Sequence, residues 1–70
     1  MGSTEMRELV INKLLVEIAT HGEATLVVEA HDGICWYTMD VKVFKTLVEI
    51  RKYFIEWDHE DCYLWVEHKE

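Results

Sequence analysis

Residues 24–41 have the sequence ATLVVEAHDGICWYTMDV, in which apolar and polar side chains alternate on both sides of Asp32-Gly33. A period of two is typical of a β-strand with one buried face, and Asp-Gly is a frequent centre of a two-residue hairpin turn. With Asp32 and Gly33 at the centre of the turn, His31 pairs with Ile34. The sequence therefore predicts an antiparallel hairpin.

The predicted pairing separates the side chains of this hairpin into two faces, because cross-strand partners share a face. The first face is entirely apolar and suits a buried core; it holds Ala24, Leu26, Val28, Ala30, Cys35, Tyr37, Met39 and Val41. The second face mixes apolar and polar residues; it holds Thr25, Val27, Glu29, His31, Ile34, Trp36, Thr38 and Asp40. We expect water or a partner molecule to cover the second face.

A helix is predicted on each side of the hairpin. The first spans residues 4–21, with Ser3 or Thr4 as its N-cap and His21-Gly22 as its end. Its core-facing strip holds Val10, Ile11, Leu14, Leu15 and Ile18, and a second, smaller apolar strip holds Met6, Leu9 and Val16. The second helix spans residues 41–57 with Asp40 as its N-cap, and its apolar arc of roughly 200° is wider than a surface helix needs. We therefore expect both helices to contact more than the sheet.

A third strand is predicted over residues 62–68, with Cys62, Leu64 and Val66 facing inward and Tyr63, Trp65 and Glu67 facing outward. A strand, a helix and a further strand normally form a right-handed crossover, so the third strand runs parallel to the second and both helices lie on one face. The predicted fold is a single α+β domain over residues 1–70. It is a two-layer αββαβ sandwich whose three-stranded sheet has the order 2-1-3.

Whether the two cysteines can form a disulfide depends on this strand order. In order 2-1-3, Cys35 and Cys62 lie two strands apart, about 9.6 Å, which is beyond the reach of a disulfide. In the alternative order 1-2-3 they would be neighbours. Two cysteines are too few for a disulfide scaffold, and no segment resembles a membrane span or a secretory signal. We therefore expect reduced thiols, buried in the core of a cytoplasmic protein.

The second face of the sheet, with the last strand added, is the main candidate for a binding surface. Its centre consists of Trp36, Trp65 and Tyr63 with Val27 and Ile34, and its edge carries Glu29, Glu67, Asp40 and His31. Exposed apolar patches on small domains often mark interfaces, and Trp and Tyr provide much of the binding energy there. Alternatively, these residues serve only cross-strand packing within the sheet.

Acidic residues dominate the chain, with 14 Asp and Glu against 7 Lys and Arg and a formal net charge of −7. Such a charge opposes direct contact with nucleic acid and with anionic membranes, so the expected partner is a protein with a neutral or basic surface. Carboxylates on a rigid domain can also imitate the phosphates of nucleic acid; the candidates are Glu29, Glu67, Asp58, Glu60 and Asp61. The alternative is that the charge only maintains solubility.

A metal site at the hairpin end of the sheet is a further alternative. Imidazole, thiolate and carboxylate groups converge there; the candidates are His31, Asp32, Cys35, Asp58, His59, Glu60, Asp61 and Cys62. Their spacing matches no recognised zinc signature, and His31 and Cys35 are expected on opposite faces. We therefore favour a solvated acidic loop and no cofactor. The chain carries no catalytic motif, so we do not expect an enzyme.

These observations favour a non-enzymatic protein-binding module. At the level of class, a small acidic αββαβ domain with an aromatic sheet face is similar to the inhibitors by which phages block host nucleases, including anti-CRISPR and anti-restriction proteins. A self-assembling accessory subunit is the second hypothesis, and a divalent-metal-binding domain is the third. The wide apolar arc of the second helix and the second strip of the first also predict a homodimer.

Overall fold

The computed structural model describes residues 2–56 and 62–68, with side chains from Arg7 onward. The elements in chain order are α1 (Gly2–His21), β1 (Ala24–His31), β2 (Trp36–Phe44), α2 (Leu47–Glu56) and β3 (Tyr63–Glu67). The three strands form one antiparallel sheet in the order β2-β1-β3. The predicted αββαβ order, the α+β class and the strand order are confirmed.

Both helices pack on one face of the sheet, the inner face. Leu26 and Val28 of β1 are fully buried there, in one cluster with Leu14 of α1 and Ile50 of α2. The cluster also includes Val10, Ala24, Phe44, Phe54 and Leu64. Each fully buried Leu, Ile or Val contributes about 1.5–3 kcal/mol, so this cluster is the main source of stability for so short a chain. Within the described residues, neither helix combines the length and the hydropathy that a membrane span requires.

The hairpin turn is displaced by one residue from its predicted position. His31 pairs with Trp36, and the turn is centred on Gly33-Ile34, where Gly33 has a φ of 97°. Glycine in the left-handed region at the first central position is the pattern of a type II′ turn. The predicted type I′ turn needs positive φ at both central positions, and the prediction that His31 pairs with Ile34 was wrong.

Asp32 fixes this turn through its side chain and its backbone. Its N–H donates to the carbonyl of Cys35 at 3.3 Å. Its Oδ1 accepts hydrogen bonds from the N–H groups of Cys35 and Ile34, both at 2.9 Å. These hydrogen bonds, that of Cys35 first, lower the pKa of Asp32 below its ordinary value. Asp32 is therefore a turn residue, and its carboxylate oxygen is committed to backbone donors.

A β-bulge in β2 changes which side chains face the core. Glu29 pairs with Thr38, but the preceding residue of β1, Val28, pairs with Asp40, so Met39 is the extra residue. Because side chains alternate along a strand, an extra residue transfers the remainder of that strand to the opposite face.

The prediction for the second half of β2 was therefore wrong. Val41 was expected in the core, but it lies with Val43 on the face opposite the helices, and both are exposed. Phe44 lies beside Ala24 and is buried in the core. Asp40 was expected on the second, uncovered face, and it lies on the inner face instead.

On the inner face, Asp40 accepts a hydrogen bond from the hydroxyl of Tyr53 on α2, at 3.4 Å. The half-buried ring of Tyr53 contacts Phe44 and Phe54 edge-on, with centroids 5.6 and 5.5 Å apart. Burial, and then the charge of Asp40, raise the pKa of Tyr53 to about 12. The Asp40 carboxylate therefore has a polar partner that connects β2 to α2.

The second helix begins at Leu47 and not at residue 41, because β2 continues to Phe44. The N–H of Glu49 donates to Oγ1 of Thr46 at 3.3 Å, and the Thr46 hydroxyl donates to Oε1 of Glu49 at 3.3 Å. Thr46 is therefore the N-cap, and the prediction of Asp40 in that role was wrong. The Thr-x-x-Glu spacing was a signal for this start in the sequence.

Ile50 and Ile55 provide a matched pair of test positions on α2. Ile50 is 0% exposed and Ile55 is 82% exposed, so only Ile50→Ala leaves a cavity. We expect Ile50→Ala to lower the free energy of unfolding by about 2–5 kcal/mol. Ile55→Ala should change it by less than about 0.5 kcal/mol. Urea denaturation followed by circular dichroism measures both, and equal effects would contradict the packing of α2 on the sheet.

The raised pKa of Tyr53 predicts a loss of stability at alkaline pH. The unfolded chain ionises this tyrosine at pH 10.0 and the folded chain at about pH 12, so the stabilisation is present below pH 10.0 and is lost as the pH rises towards 12. Asp40→Asn removes the neighbouring charge and should lower the pKa of Tyr53. Ultraviolet titration of tyrosinate measures the shift, with Tyr53→Phe to identify the step. An unchanged titration in Asp40→Asn would contradict the contact.

Candidate functional site

The outer face of the sheet, opposite the helices, combines side chains from all three strands. It consists of Thr25, Val27, Glu29 and His31 of β1, Trp36, Thr38, Val41 and Val43 of β2, and Tyr63, Trp65 and Glu67 of β3. The aromatic cross-strand pairs are Trp36 with His31, Tyr63 with Glu29, and Trp65 with Val27. Because β1 is the central strand, aromatic side chains from both edge strands border it.

Three rings on the outer face form an edge-to-face cluster. The ring centroids of His31 and Trp36 are 5.1 Å apart with planes at 71°, and those of Trp36 and Tyr63 are 6.3 Å apart with planes at 65°. Such T-shaped aromatic pairs contribute about 0.5–1.5 kcal/mol beyond the area that they bury. Trp36 is nevertheless 57% exposed, Tyr63 51% and Trp65 37%. The rings therefore hold each other in place while much of their surface contacts solvent.

Glu29 lies among these aromatic side chains on the central strand. Its Oε1 accepts a hydrogen bond from the indole N–H of Trp65 at 2.9 Å, and its side chain is half-buried. The described part of the outer face contains no lysine or arginine. No described lysine or arginine of this face therefore neutralises the Glu29 carboxylate, and Nδ1 of the His31 imidazole on it accepts a hydrogen bond from the N–H of Gly33.

Apolar side chains continue the outer face away from the aromatic cluster. Val27 and Thr25 are buried between the side chains of the flanking strands, while Val41 and Val43 are exposed beside them. Val41 and Val43 were not predicted on this face, because only the bulge brings them to it. The apolar part of the surface is therefore larger than predicted.

Most of the predicted surface residues share the outer face. Glu67 lies on it, at the end of the sheet opposite Trp36. Ile34 is at the hairpin turn, 89% exposed and outside the strand pairs. Asp40 is on the inner face, as described above. The acidic residues Asp58, Glu60 and Asp61 lie outside the described residues. The structure thus brings together the aromatic residues, Val27 and Glu29.

The metal hypothesis placed ligands at the hairpin end of the sheet. There, Nδ1 of His31 accepts a hydrogen bond from the N–H of Gly33 at 3.0 Å. Cys35 was expected in the core and is exposed, because it belongs to the turn, whereas Cys62 is half-buried against the core; no disulfide joins the two. Among the described residues, no group of three or more His, Cys, Asp or Glu side chains is arranged to hold a metal ion. Residues 58–61 lie outside that description.

A groove between α1 and β3 is a second surface feature, which was not among the sites predicted from the sequence. It encloses about 510 Å³ and is lined by Leu9, Asn12, Lys13, Val16, Glu17, Val66 and His68. The buried Glu17 carboxylate lies 3.8 Å from Nε2 of His21 and 3.3 Å from Nδ1 of His68. Leu9 and Val16 are the exposed apolar residues of the groove. The sequence signal for the groove was the second apolar strip of the first helix, which contains both residues. Both imidazoles give Glu17 polar neighbours, and that of His68 connects the residue after β3 to α1.

Comparison with protein-family models, curated proteins and solved structures gave no match to this chain. Function is therefore inferred from the chemistry of its own surfaces. Of the two surfaces described here, only the outer face combines exposed aromatic rings with a carboxylate held among them.

Proposed function

We propose that this chain is a non-enzymatic protein-binding module that contacts its partner with the outer face of the sheet. One observation carries the proposal: Trp36, Tyr63 and Trp65 are large exposed aromatic side chains that strand pairing places on one continuous face. Contiguous exposed apolar surface of this kind marks interaction sites in small domains. The proposed role requires binding alone and no reactive group.

These aromatic side chains are held in fixed positions, which supports their use as anchor residues for a partner. Trp36 and Tyr63 contact each other, and Trp65 is held by its hydrogen bond to Glu29. Side chains that are already fixed lose little rotamer entropy when a partner binds, so more of the contact energy appears as affinity. Trp and Tyr are also the residues most often found at the energetic centre of an interface.

The charge of the chain indicates the kind of partner. The net charge of −7 disfavours nucleic acid and anionic membranes and accelerates the approach of a basic protein surface. Glu29 and Glu67 add negative charge to the outer face itself. The proposed partner is therefore a protein with a neutral or basic surface.

A narrower hypothesis assigns the chain to the phage inhibitors of host nucleases, acting in the host cytoplasm by mimicry of nucleic acid. Mimicry needs carboxylates that are available to a partner. Glu67 meets this requirement in full, because it is exposed, and Glu29 meets it in part, because it is half-buried and one of its oxygens accepts the Trp65 hydrogen bond. The other proposed mimics, Asp58, Glu60 and Asp61, lie outside the described residues. The narrower hypothesis therefore stays a prediction.

Affinity purification from the native host, with identification by mass spectrometry, tests the proposed surface. We expect Trp36→Ala and Trp65→Ala each to weaken the identified complex by about 2 kcal/mol or more, about 30-fold in Kd. Leu9→Ala is the matched control, since Leu9 is an exposed apolar residue away from the outer face. Circular dichroism verifies that the variants fold. Full binding by both tryptophan variants would place the interface elsewhere.

Self-association is a second candidate function, favoured by exposed apolar residues outside the outer face. Val48 and Ile55 lie two turns apart on one side of α2, and both are strongly exposed. A second copy of the chain that covered this side of α2 would remove these apolar side chains from water.

Light scattering tests the homodimer directly. We expect a dimer mass for the wild-type chain at micromolar concentration and a monomer mass for the double variant Val48→Lys and Ile55→Lys, because two charges would oppose the apolar contact. Both positions are exposed, so the variant should fold. A monomer mass for the wild-type chain would exclude self-association at that concentration.

A further inference from the structure

We infer that Glu29 and the aromatic side chains around it form the receptor for one arginine side chain of a partner protein. The inference rests on the proposed function and names the chemistry that the outer face recognises. It joins three observations: a half-buried carboxylate, exposed rings beside it and a face without lysine or arginine in its described part.

The Glu29 carboxylate is held in position but retains acceptor capacity. Trp65 donates one hydrogen bond to Oε1 at 2.9 Å. A carboxylate has about four lone-pair sites, so most of its acceptor sites are available to an incoming donor. Because the Trp65 indole N–H holds one of its oxygens, the Glu29 carboxylate is oriented before the partner arrives.

The neighbouring rings favour a cation at this position. Trp36 and Tyr63 meet at 65° and are both more than half exposed, so they form a corner with accessible ring surface beside the central strand. The negative face of an aromatic ring attracts cations, most strongly for Trp. A cation at this corner is attracted by the rings and by the carboxylate together.

Arginine fits this corner better than lysine. Its guanidinium is planar and can lie against a ring while its fork of N–H groups reaches a carboxylate. It is also less strongly hydrated than an ammonium, so it loses less solvation energy at a half-buried site. Glu29 is half-buried, which makes this difference relevant here.

The charge distribution of the domain directs an arginine to this face. Residues on the outer face include Glu29 and Glu67 but, in the described strands, no lysine or arginine. The described lysines of β2 and its following turn are Lys42, which pairs with Leu26 of the inner face, and Lys45, which follows the strand. An incoming arginine therefore meets negative charge without a competing lysine or arginine on the described outer face.

A set of three short peptides tests the inference without knowledge of the partner. The probes are acetyl-Ala-Ala-Arg-Ala-Ala-amide and the same peptide with lysine or with citrulline, a neutral analogue of arginine, in the central position. Titration followed by the NMR signal of the Trp65 indole N–H reports binding at Glu29. We expect a saturable shift with the arginine peptide and about tenfold weaker binding of the citrulline peptide.

Glu29→Gln is the decisive variant, because its amide oxygen can still accept the Trp65 hydrogen bond while the charge is removed. It should bind the arginine peptide as weakly as the wild-type chain binds the citrulline peptide. Glu56→Gln, at an exposed position of α2 away from the outer face, should change the affinity by less than about twofold. The indole signals of the variants verify that the fold is retained.

Three results would overturn the inference: no saturable shift, equal binding of the arginine and citrulline peptides, or unchanged binding by Glu29→Gln. Equal binding of the lysine peptide would overturn the assignment to a guanidinium. Each of these results leaves the proposed function intact if Trp36→Ala and Trp65→Ala still weaken the partner complex. Loss of the tryptophan effect, in contrast, contradicts the proposed function itself.

Discussion

The pairing of Val28 with Asp40, directly after the extra residue Met39, is the constraint on which both faces of the sheet depend. Side chains alternate along a strand, so one inserted residue exchanges the two faces for everything that follows it. In β2 this exchange takes Phe44 into the core and brings Val41 to the outer face. An unbulged strand would have left a phenylalanine in solvent and buried a valine in its place. The same insertion thus completes the core and enlarges the binding surface.

The bulge also determines how the second helix is attached. It turns Asp40 towards α2, where the Tyr53 hydroxyl satisfies the carboxylate. Because β2 continues to Phe44, the helix starts late and takes its cap from Thr46. The resulting α2 is short, with Ile50 and Phe54 buried against the sheet. The hydrogen bond between Tyr53 and Asp40 and the apolar packing of the helix against the sheet therefore position α2. The hydrogen bond exists only because the bulge turns Asp40 to the inner face.

Much of this architecture could be predicted from the sequence, because it depends on periodicity. Alternation in β1 and the helical strip of Val10 and Leu14 identify the inner face, and alternation within residues 62–68 places Trp65 on the outer face. The turn could not be predicted, since Asp32-Gly33 and Gly33-Ile34 are both acceptable centres and differ only in local backbone angles. The bulge could not be detected, because Val41 and Val43 lie at one set of alternate positions and Phe44 at the other. Either set therefore offers an apolar side chain for the core. The hydrogen bond of Trp65 to Glu29 depends on side-chain orientation, which no pattern of residue types specifies.

The position of the bulge also makes the two edges of the sheet unequal. An irregular edge strand is a poor template for an added strand, because its N–H and C=O groups are no longer evenly spaced. β2 carries the bulge, whereas β3 pairs with β1 in regular register over Tyr63–Glu67. β3 also contains no lysine or proline, the residues that usually discourage strand addition. Within the described chain, unwanted sheet extension is therefore blocked on the β2 side and resisted less on the β3 side. Aggregation of this domain, where it occurs, should begin beside Trp65.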